Sequence, residues 1–250
     1  MKNLKSLVAI IAAFFCFVLL PGCNITTASS NKKVVKHDSR PHIIGAMKNV
    51  MHKGELFARI DLDTLADKEH LYGMGPVENL AGEILVWDGI GYKAGVLTDT
   101  TMNITSTLAL KAPFFGYANI DEWQQMPIPD SISTIAQLEQ YLDAQTTTKP
   151  RPYFFKIKAV VISAKVHLMN LPPGTKVSSP EDARKGQKVY TINNQEVDLL
   201  GFFSKEHQTI FTHHDTWLHI HLLTTDKKIM GHLDEMELKR GKVALYLPKD

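Results

Sequence analysis

Five histidines lie close together near the C-terminal end of this 250-residue chain, between Thr212 and Glu235. The whole sequence contains 11 histidines, so this short segment is strongly enriched in them. Imidazole nitrogens are the commonest metal ligands in proteins, and zinc favours them. The segment is therefore the first candidate for metal chemistry; its histidines are His213, His214, His219, His221 and His232.

The motif Leu-His-Ile-His-Leu places two of these histidines on one face of a predicted strand. Successive side chains of a strand alternate between faces, so His219 and His221 share a face, roughly 6–7 Å apart. Leu218, Ile220 and Leu222 then line the opposite face and can pack against a core. The strand would then hold two imidazoles on one face while its other face packs against the core.

A third histidine joins them if the following polar segment, Thr-Thr-Asp-Lys-Lys, forms a hairpin turn. A turn centred on Asp226 and Lys227 pairs His221 with His232. Directly opposed residues point to the same face, with Cβ atoms roughly 4.5–5.5 Å apart. Three converging imidazoles leave coordination positions open on a bound ion, as in catalytic zinc sites. We expect Zn²⁺, with iron, nickel, copper or manganese as alternatives because selectivity also depends on geometry and supply.

An isolated His-X-His pair is more often two partly exposed surface residues than a metal site. The register-matched His232 favours the metal interpretation here. The neighbouring His213 and His214 stay open as further ligands, as hydrogen-bonding partners of the ligands, or as surface residues; the last two roles are favoured.

The first 22 residues have the organisation of an export signal. Lys2 and Lys5 precede an apolar run that is short for a membrane span of roughly 20 residues. The run ends in Leu-Pro-Gly-Cys, which resembles a bacterial lipobox with Cys23 as the lipidated residue. We expect residues 1–22 to be a lipoprotein signal peptide and residues 23–40 a flexible tether. An uncleaved anchor and an ordinary signal peptide are the alternatives.

These features predict an exported protein attached to a bacterial membrane only through its N-terminal lipid, on the periplasmic or cell-surface side. Cys16 lies in the signal and Cys23 would be lipidated, so the mature chain retains no thiol for a disulfide. The net charge of +2, with both signs mixed throughout, gives no indication of a nucleic-acid surface.

The pattern of elements predicts an α+β fold with two parts. Residues 41–148 form a mixed α/β part, with a β-hairpin at Asp88-Gly89. A helix is expected over Ser131–Asp143, with Asp130 or Ser131 as its N-cap, because Ile132, Ile135, Leu138 and Leu142 recur at helical spacing. Further strands are expected at Leu108–Leu110 and Phe114–Ile120, and the boundary at Thr146–Pro152.

Residues 149–250 read as a mostly antiparallel β part that carries the three-histidine metal site. A long loop with a helical turn at Pro180–Arg184 interrupts it. The expected strands are Tyr153–Lys158, Val160–Leu168, Val189–Ile192, Val197–Phe203, Leu218–Leu223, Ile229–Leu238 and Val243–Leu247.

Three stretches of the sequence resemble the α-acetolactate decarboxylase family. The first stretch resembles the family's Gly-rich segment, which leads into a Gly-Glu strand and an Asp-Gly hairpin; it reads LYGMGPVENLAGEILVWDGIGY. The second resembles the family's Pro-Phe strand and reads APFFGYANI. HIHLLTTDKKIMGHLDEMEL is similar to the zinc segment of the family, including its Gly-His pair. The resemblance spans roughly residues 71–238.

The resemblance implies a two-part α/β fold, a homodimer, and conversion of 2-acetolactate to acetoin with loss of CO2. It implies that His219, His221 and His232 bind zinc and that Glu83 is a catalytic carboxyl group. Glu78, five residues earlier, is the weaker alternative. Such a substrate can chelate a cation, which stabilises the enediolate left after CO2 departs, and a carboxyl group with a raised pKa can deliver the proton.

The sequence departs from the family in two places. The family has a substrate-contacting arginine before a Val-Pro pair, where this chain has His167 or Met169, with Lys165 nearby as another source of positive charge. The family also carries an acidic residue in a C-terminal extension for which this chain offers no clear equivalent.

Three functions therefore stay open: decarboxylation of 2-acetolactate, decarboxylation of a different 2-hydroxy-3-oxo acid, and a non-catalytic metal-binding lipoprotein on the same fold. The last would be a zinc carrier or sensor. A cupin dioxygenase is set aside, because the expected Glu a few residues after His-X-His is absent from LLTTD.

Overall fold

Antiparallel strands make up most of the structure, a computed structural model that describes residues 36–249. The expected signal peptide, Cys23 and most of the expected tether lie outside the described residues. The strands of the described part are β1 His42–Ile44, β2 Ile60–Asp61, β3 Leu71–Pro76, β4 Glu83–Trp87, β5 Ile90–Val96, β6 Met102–Ser106, β7 Lys111–Ala112, β8 Phe115–Asn119, β9 Trp123–Met126, β10 Tyr153–Met169, β11 Gln187–Phe203, β12 Leu218–Thr224 and β13 Met230–Pro248. The helices are α1 Met47–Lys53, α2 Ile135–Gln145 and α3 Pro180–Arg184.

Two larger sheets organise these strands. The first has the order β1-β8-β3-β4-β5-β6, and β2 pairs separately with β7. The second has the order β10-β11-β12-β13-β9, and β10 also pairs with β13, so four of its strands form a closed circuit. The strand pairings are antiparallel, including those of the N-terminal part that the sequence predicted as mixed α/β.

Local turn and capping chemistry explains two of the expected elements. Asp88 and Gly89 both have positive φ, 50° and 77°, as the two-residue turn between β4 and β5 requires. Helix α2 begins four residues later than expected because Thr134 forms a capping box with Gln137. The carboxylate of Asp130, predicted as a cap, instead accepts the N–H of Gly241 at 3.0 Å.

The expected strand at Leu108–Leu110 is wrong. The N–H of Leu110 donates to the carbonyl of Leu108 at 2.7 Å, and the Thr107 hydroxyl accepts the N–H of Ala109. These short-range bonds form a tight connection between β6 and β7 instead of a strand.

Three pairs of expected short strands are each one long strand in the structure. Register shifts between Ala159 and Val161 and between Val161 and Ser163 let β10 continue past irregularities in its pairing with β13. Within β13, Gly241 has a φ of 66°, a conformation that glycine adopts without steric cost. The breaks in the hydrophobic pattern therefore mark irregularities within the strands and not strand ends.

The expected boundary at Thr146–Pro152 falls between α2 and β10. Strand β9 lies on the N-terminal side of it but pairs with β13 of the second sheet, for example Leu245 with Met126. The N-terminal part thus contributes a strand to the C-terminal sheet. No helix within residues 36–249 is long and apolar enough to cross a membrane.

A three-residue clamp fixes the point where the expected tether meets the sheets. The His37 ring lies between two carboxylates, with Nδ1 2.5 Å from Asp121 Oδ1 and Nε2 2.7 Å from Asp67 Oδ2. The backbone N–H of His37 also donates to Asp121, at 2.8 Å. Because both ring nitrogens face carboxylates, the imidazolium form fits this clamp best.

The clamp makes anchoring of residues 36–44 dependent on pH. Hydrogen bonds to Asp121 and Asp67 raise the pKa of His37 above its ordinary 6.5. The stabilisation is therefore fully present below pH 6.5 and is lost as pH rises through the raised pKa. At the acidic end, burial alone would raise the pKa of Asp121, but hydrogen bonds from His37 lower it below 3.8, so Asp121 stays ionised to a lower pH than an ordinary aspartate.

We expect imidazole resonances of His37 to titrate above pH 6.5 in the folded protein. We also expect His37→Ala to increase amide hydrogen exchange in residues 38–44 at pH 6. His52→Ala, which removes an exposed imidazole of α1, is the control. A His37 that titrates at or below 6.5 would contradict the clamp.

Candidate metal centre

Three histidines of adjacent strands converge on the inner face of the second sheet. His221 of β12 pairs with His232 of β13, which is the pairing that the sequence predicts. The Nε2 atoms of His219 and His221 are 3.2 Å apart, and one ligand atom from each of the three residues lies within 4.8 Å of the others. This arrangement can hold a metal ion.

Burial keeps the three imidazoles neutral. His219, His221 and His232 are only 2%, 0% and 9% exposed. Desolvation lowers the pKa of His219 to about 3 and those of His221 and His232 well below 6.5. Neutral imidazoles offer the lone pairs that a metal ion requires, without competition from protons near neutral pH.

Hydrogen bonding orients the ligand nitrogens. The Nδ1 atom of His219 donates to the carbonyl of Phe211 at 2.6 Å, which leaves Nε2 unprotonated and facing His221. The buried Nδ1 of His221 makes no hydrogen bond of ordinary geometry within the described residues. Two ring nitrogens that face each other at 3.2 Å in a buried site fit a cation-binding site better than a packed core.

Glu83 enters this centre from the other sheet. It begins β4, is 3% exposed, and its Oε2 atom lies 3.6 Å from His221 Nε2. Burial raises the pKa of Glu83 to about 7, against the lowering influence of His167 and of the Met169 backbone N–H. The preceding Gly82 has a φ of 135°, and a Cβ atom there would lie 2.2 Å from the Ala94 carbonyl oxygen. Only glycine admits the approach that delivers Glu83.

His167 lies beside the three-histidine cluster and differs from it in the direction of its pKa shift. It pairs with His232 across β10 and β13, and the two ring centroids are 4.7 Å apart. Its Nδ1 donates to Asp234 at 2.7 Å. Burial alone would lower the pKa of His167, but the hydrogen bond and charge of Asp234, with the charge of Glu83, raise it above 6.5. The protonated form of His167 is therefore favoured relative to an ordinary imidazole, in contrast to the three cluster histidines.

Asp234 is the partner that sequence reasoning missed. Its signal was its position two residues after His232, but the pairing of β10 with β13 shifts register between Lys165 and Val166, so strand alternation alone does not place it. The N-terminal neighbour of His232 is also constrained, since a Cβ atom on Gly231 would lie 2.5 Å from the His167 carbonyl oxygen. The Gly-His pair thus permits the close approach of β13 to β10.

The loop between β11 and β12 covers one side of the centre. His213 is half-buried, with its ring centroid 5.0 Å from that of His232, whereas His214 is exposed. Glu139 of α2, which the sequence did not single out, accepts the Trp217 N–H at 2.6 Å and the Thr216 hydroxyl proton. Glu139 therefore fixes the end of the loop that carries the two histidines.

The remaining alternatives from the sequence lie outside the centre. The Glu78 carboxylate accepts the N–H of Ala58 at 2.8 Å, a structural role. Lys165 is exposed and pairs with Glu235 at 2.9 Å. Met169 donates its backbone N–H to the Glu83 carboxyl group, and its side chain carries no charge. Of the three positions considered for the family arginine, only His167 places a titratable side chain beside the cluster.

Comparisons with known proteins point to one family. A family model described as alpha-acetolactate decarboxylase matches residues 46–249. The curated alpha-acetolactate decarboxylase of Methanosarcina mazei is 25% identical over 189 residues, covering 74% of this chain and 60% of that protein. The chain thus spans less than two thirds of the length of that relative.

Solved structures establish the fold. The α-acetolactate decarboxylase of Bacillus subtilis strain 168 superposes with a TM-score of 0.68 at 15% identity, over 85% of this chain and 86% of that chain. A Staphylococcus aureus protein of unknown function, described as similar to α-acetolactate decarboxylase, gives a TM-score of 0.66 at 15% identity, over 84% of each chain.

Removal of one cluster histidine tests whether the site binds metal. We expect His232→Ala to weaken Zn²⁺ binding by more than about 100-fold, because even loss of a ligand's hydrogen-bonding partner costs about 10–100-fold. Titration calorimetry and bound-metal analysis of the folded variant provide the measurement. His214→Ala, an exposed histidine of the same segment, is the matched control and should bind normally. Equal metal content in His232→Ala and the parent would rule out the assigned ligand set.

Proposed function

Because this chain belongs to the α-acetolactate decarboxylase family, we propose that it removes CO2 from 2-acetolactate or a closely related 2-hydroxy-3-oxo acid, as an exported, lipid-anchored enzyme. The observation that carries the proposal is the buried Glu83 carboxyl group 3.6 Å from His221 Nε2, within the three-histidine cluster. A buried acid beside a metal-binding cluster combines the two groups that this decarboxylation needs.

The three histidines would hold a zinc ion through ring nitrogens. When bound, zinc supplies a Lewis acid that stabilises negative charge developing on the substrate hydroxyl and ketone oxygens. Zinc suits the all-nitrogen donor set, and another divalent transition metal would serve the same purpose. The protein contributes a closed, poorly hydrated surrounding in which this electrostatic stabilisation is strong.

A side chain of the protein, Glu83, would supply the proton that the product needs. The bond between C1 and C2 breaks, C1 leaves as CO2, and the electron pair stays on C2 and spreads to the neighbouring ketone as an enediolate. Glu83, whose raised pKa keeps much of it protonated near neutral pH, then donates a proton to C2. Acetoin results, and solvent returns the proton to Glu83, so one proton is consumed for each CO2 released.

His167 would take the place of the family arginine. Asp234 holds its Nδ1, which leaves Nε2–H as a donor for the substrate carboxylate. A protonated imidazole provides one charged hydrogen bond instead of the paired bonds of a guanidinium. Substrate binding is thereby retained with a different donor.

A second candidate is metal handling without catalysis. It is favoured by the histidine at the arginine position and by the two additional histidines of the loop, His213 and His214. This candidate requires the same three ligands but gives Glu83 no chemical role, so catalytic assays separate the two functions.

The first test is acetoin formation from racemic 2-acetolactate by the zinc-loaded protein. Glu83→Gln should lower kcat at least about 100-fold while zinc content is unchanged, because general acid catalysis contributes about 10²–10⁴-fold. Removal of zinc by a chelator should abolish the activity. Glu78→Gln, which removes a carboxylate that accepts the backbone N–H of Ala58, is the control.

Absence of acetoin from a folded protein that retains zinc, with either parent or control, would favour metal handling. Activity that survives Glu83→Gln unchanged would remove Glu83 from the mechanism.

Substrate recognition by His167 is tested separately. We expect His167→Ala to lower kcat/KM by about 10–100-fold, which corresponds to loss of one charged hydrogen bond. His167→Arg should recover much of it, and neither change should alter zinc content. Lys165→Ala, two residues away but paired with Glu235, is the control. An unchanged KM and kcat in His167→Ala would show that another group binds the carboxylate.

A further inference from the structure

A large cavity adjoins the metal centre. Its volume is about 540 Å³, and three methionines line it: Met47 and Met51 of α1 and Met169 of β10. Ala183 of α3 adds to this apolar wall. Cavities of about 300–1,000 Å³ with mostly apolar walls are typical sites for small organic molecules. We call this cavity the methionine chamber.

Wall residues of the chamber touch the reactive groups directly. His167 and His213 both line it, and their ring centroids lie 4.7 and 5.0 Å from that of the cluster histidine His232. Met169 lines it as well, and its backbone N–H acts on the Glu83 carboxyl group. A molecule with its reacting end at the metal centre could therefore extend into the chamber.

The charges at the chamber are balanced, whereas those of the second cavity are negative. Lys48, His52 and Arg184 line the chamber together with the carboxylates of Glu181 and Asp234, and Arg184 pairs with Glu181. A second cavity, of about 350 Å³, shares His213 and Asp234 with the chamber and also reaches the cluster histidine His232. It is lined by the carboxylates of Glu139, Asp215 and Asp234 but by no lysine or arginine. Like-charge repulsion makes the second cavity the poorer route for a carboxylate.

The chamber is built into the fold. The N–H groups of Met47 and Lys48, at the start of α1, donate to the carbonyls of Ile210 and Thr209 at 2.8 Å each. These bonds join α1 to the loop that carries His213. Because the helix terminus is held by backbone bonds, the methionine wall is in place before a ligand arrives.

We propose that the enzyme prefers 2-hydroxy-3-oxo acids that carry an apolar chain longer than the methyl groups of 2-acetolactate, with this chain in the methionine chamber. The inference rests on the proposed decarboxylase function. Both methyl groups of 2-acetolactate are too small to reach across a space of this size. A cavity of about 150 Å³ already accommodates benzene, so about 540 Å³ has room for a chain of several carbons.

Thioether walls favour such a chain. Methionine side chains are flexible and polarisable, and they adapt to apolar ligands of different shape. Each buried methylene is worth about a fourfold gain in binding, the equivalent of its transfer free energy. We therefore expect kcat/KM to rise about fourfold for each of the first two or three added methylenes.

The experiment compares two substrate series with the zinc-loaded protein. In one, the C2 methyl group of 2-acetolactate is lengthened to ethyl, propyl and butyl; in the other, the acyl end is lengthened in the same way. The inference expects kcat/KM to rise in at least one series. Unreactive 2-hydroxy-2-methyl acids of increasing chain length, which lack the ketone, should show the same gain in affinity by calorimetry.

A variant whose larger side chain fills the methionine chamber tests whether the substrate chain binds there. Met51→Trp should reduce the preference for the longer substrate over 2-acetolactate at least about tenfold, since the ring occupies space that the chain needs. Leu97→Trp adds the same ring at an exposed position outside the chamber, where Leu97 is 67% exposed, and should leave the preference unchanged.

The outcomes separate the two proposals. Decarboxylation that is fastest with 2-acetolactate and slows along both series would overturn the inference and leave the proposed function standing. No decarboxylation of any member, with zinc bound, would overturn the proposed function itself. A preference for longer chains that Met51→Trp leaves intact would also overturn the assignment of the chamber.

Discussion

The register of three neighbouring strands determines the rest of this structure. Across β12, β13 and β10, His221 pairs with His232 and His232 pairs with His167. A shift of one residue in either pairing would turn an imidazole to the opposite face and place a leucine in the centre. Gly231 secures this register, because any larger residue would push β13 away from the His167 backbone.

One physical cause, removal from water, sets the chemical state of most groups in the centre. Desolvation disfavours the charged form of any group, so it lowers the pKa of the three cluster histidines and raises that of Glu83. Both changes are useful: the imidazoles become metal ligands and the carboxyl group a proton donor. His167 differs because the hydrogen bond and charge of Asp234 outweigh its burial, so its pKa is raised and its protonated form is favoured.

The parts of this centre that could be predicted from the sequence were those governed by local rules. Two local rules were sufficient to pair His221 with His232: side chains alternate between the faces of a strand, and a turn with an even number of residues keeps both histidines on one face. The pairing of His167 with His232 depends on strands separated by more than sixty residues, whose register no local pattern encodes. Glu83 arrives from a different sheet, so only the family resemblance indicated it. Leu108–Leu110 was mistaken for a strand because its short-range backbone bonds leave no mark on hydrophobic spacing.

In the proposed function, His167 and Asp234 stand where the family resemblance implies an arginine, and this difference alters how the site would bind its substrate. A guanidinium offers two parallel hydrogen bonds to a carboxylate, whereas His167, with one nitrogen held by Asp234, offers one. Binding energy lost at the reacting end can be replaced by contacts with a remote part of the substrate. The methionine chamber is the adjoining apolar surface, and it lies against the same histidine. The altered anion contact and the large chamber are therefore consistent with one change in specificity, from a small, strongly clamped acid toward a longer, more apolar one.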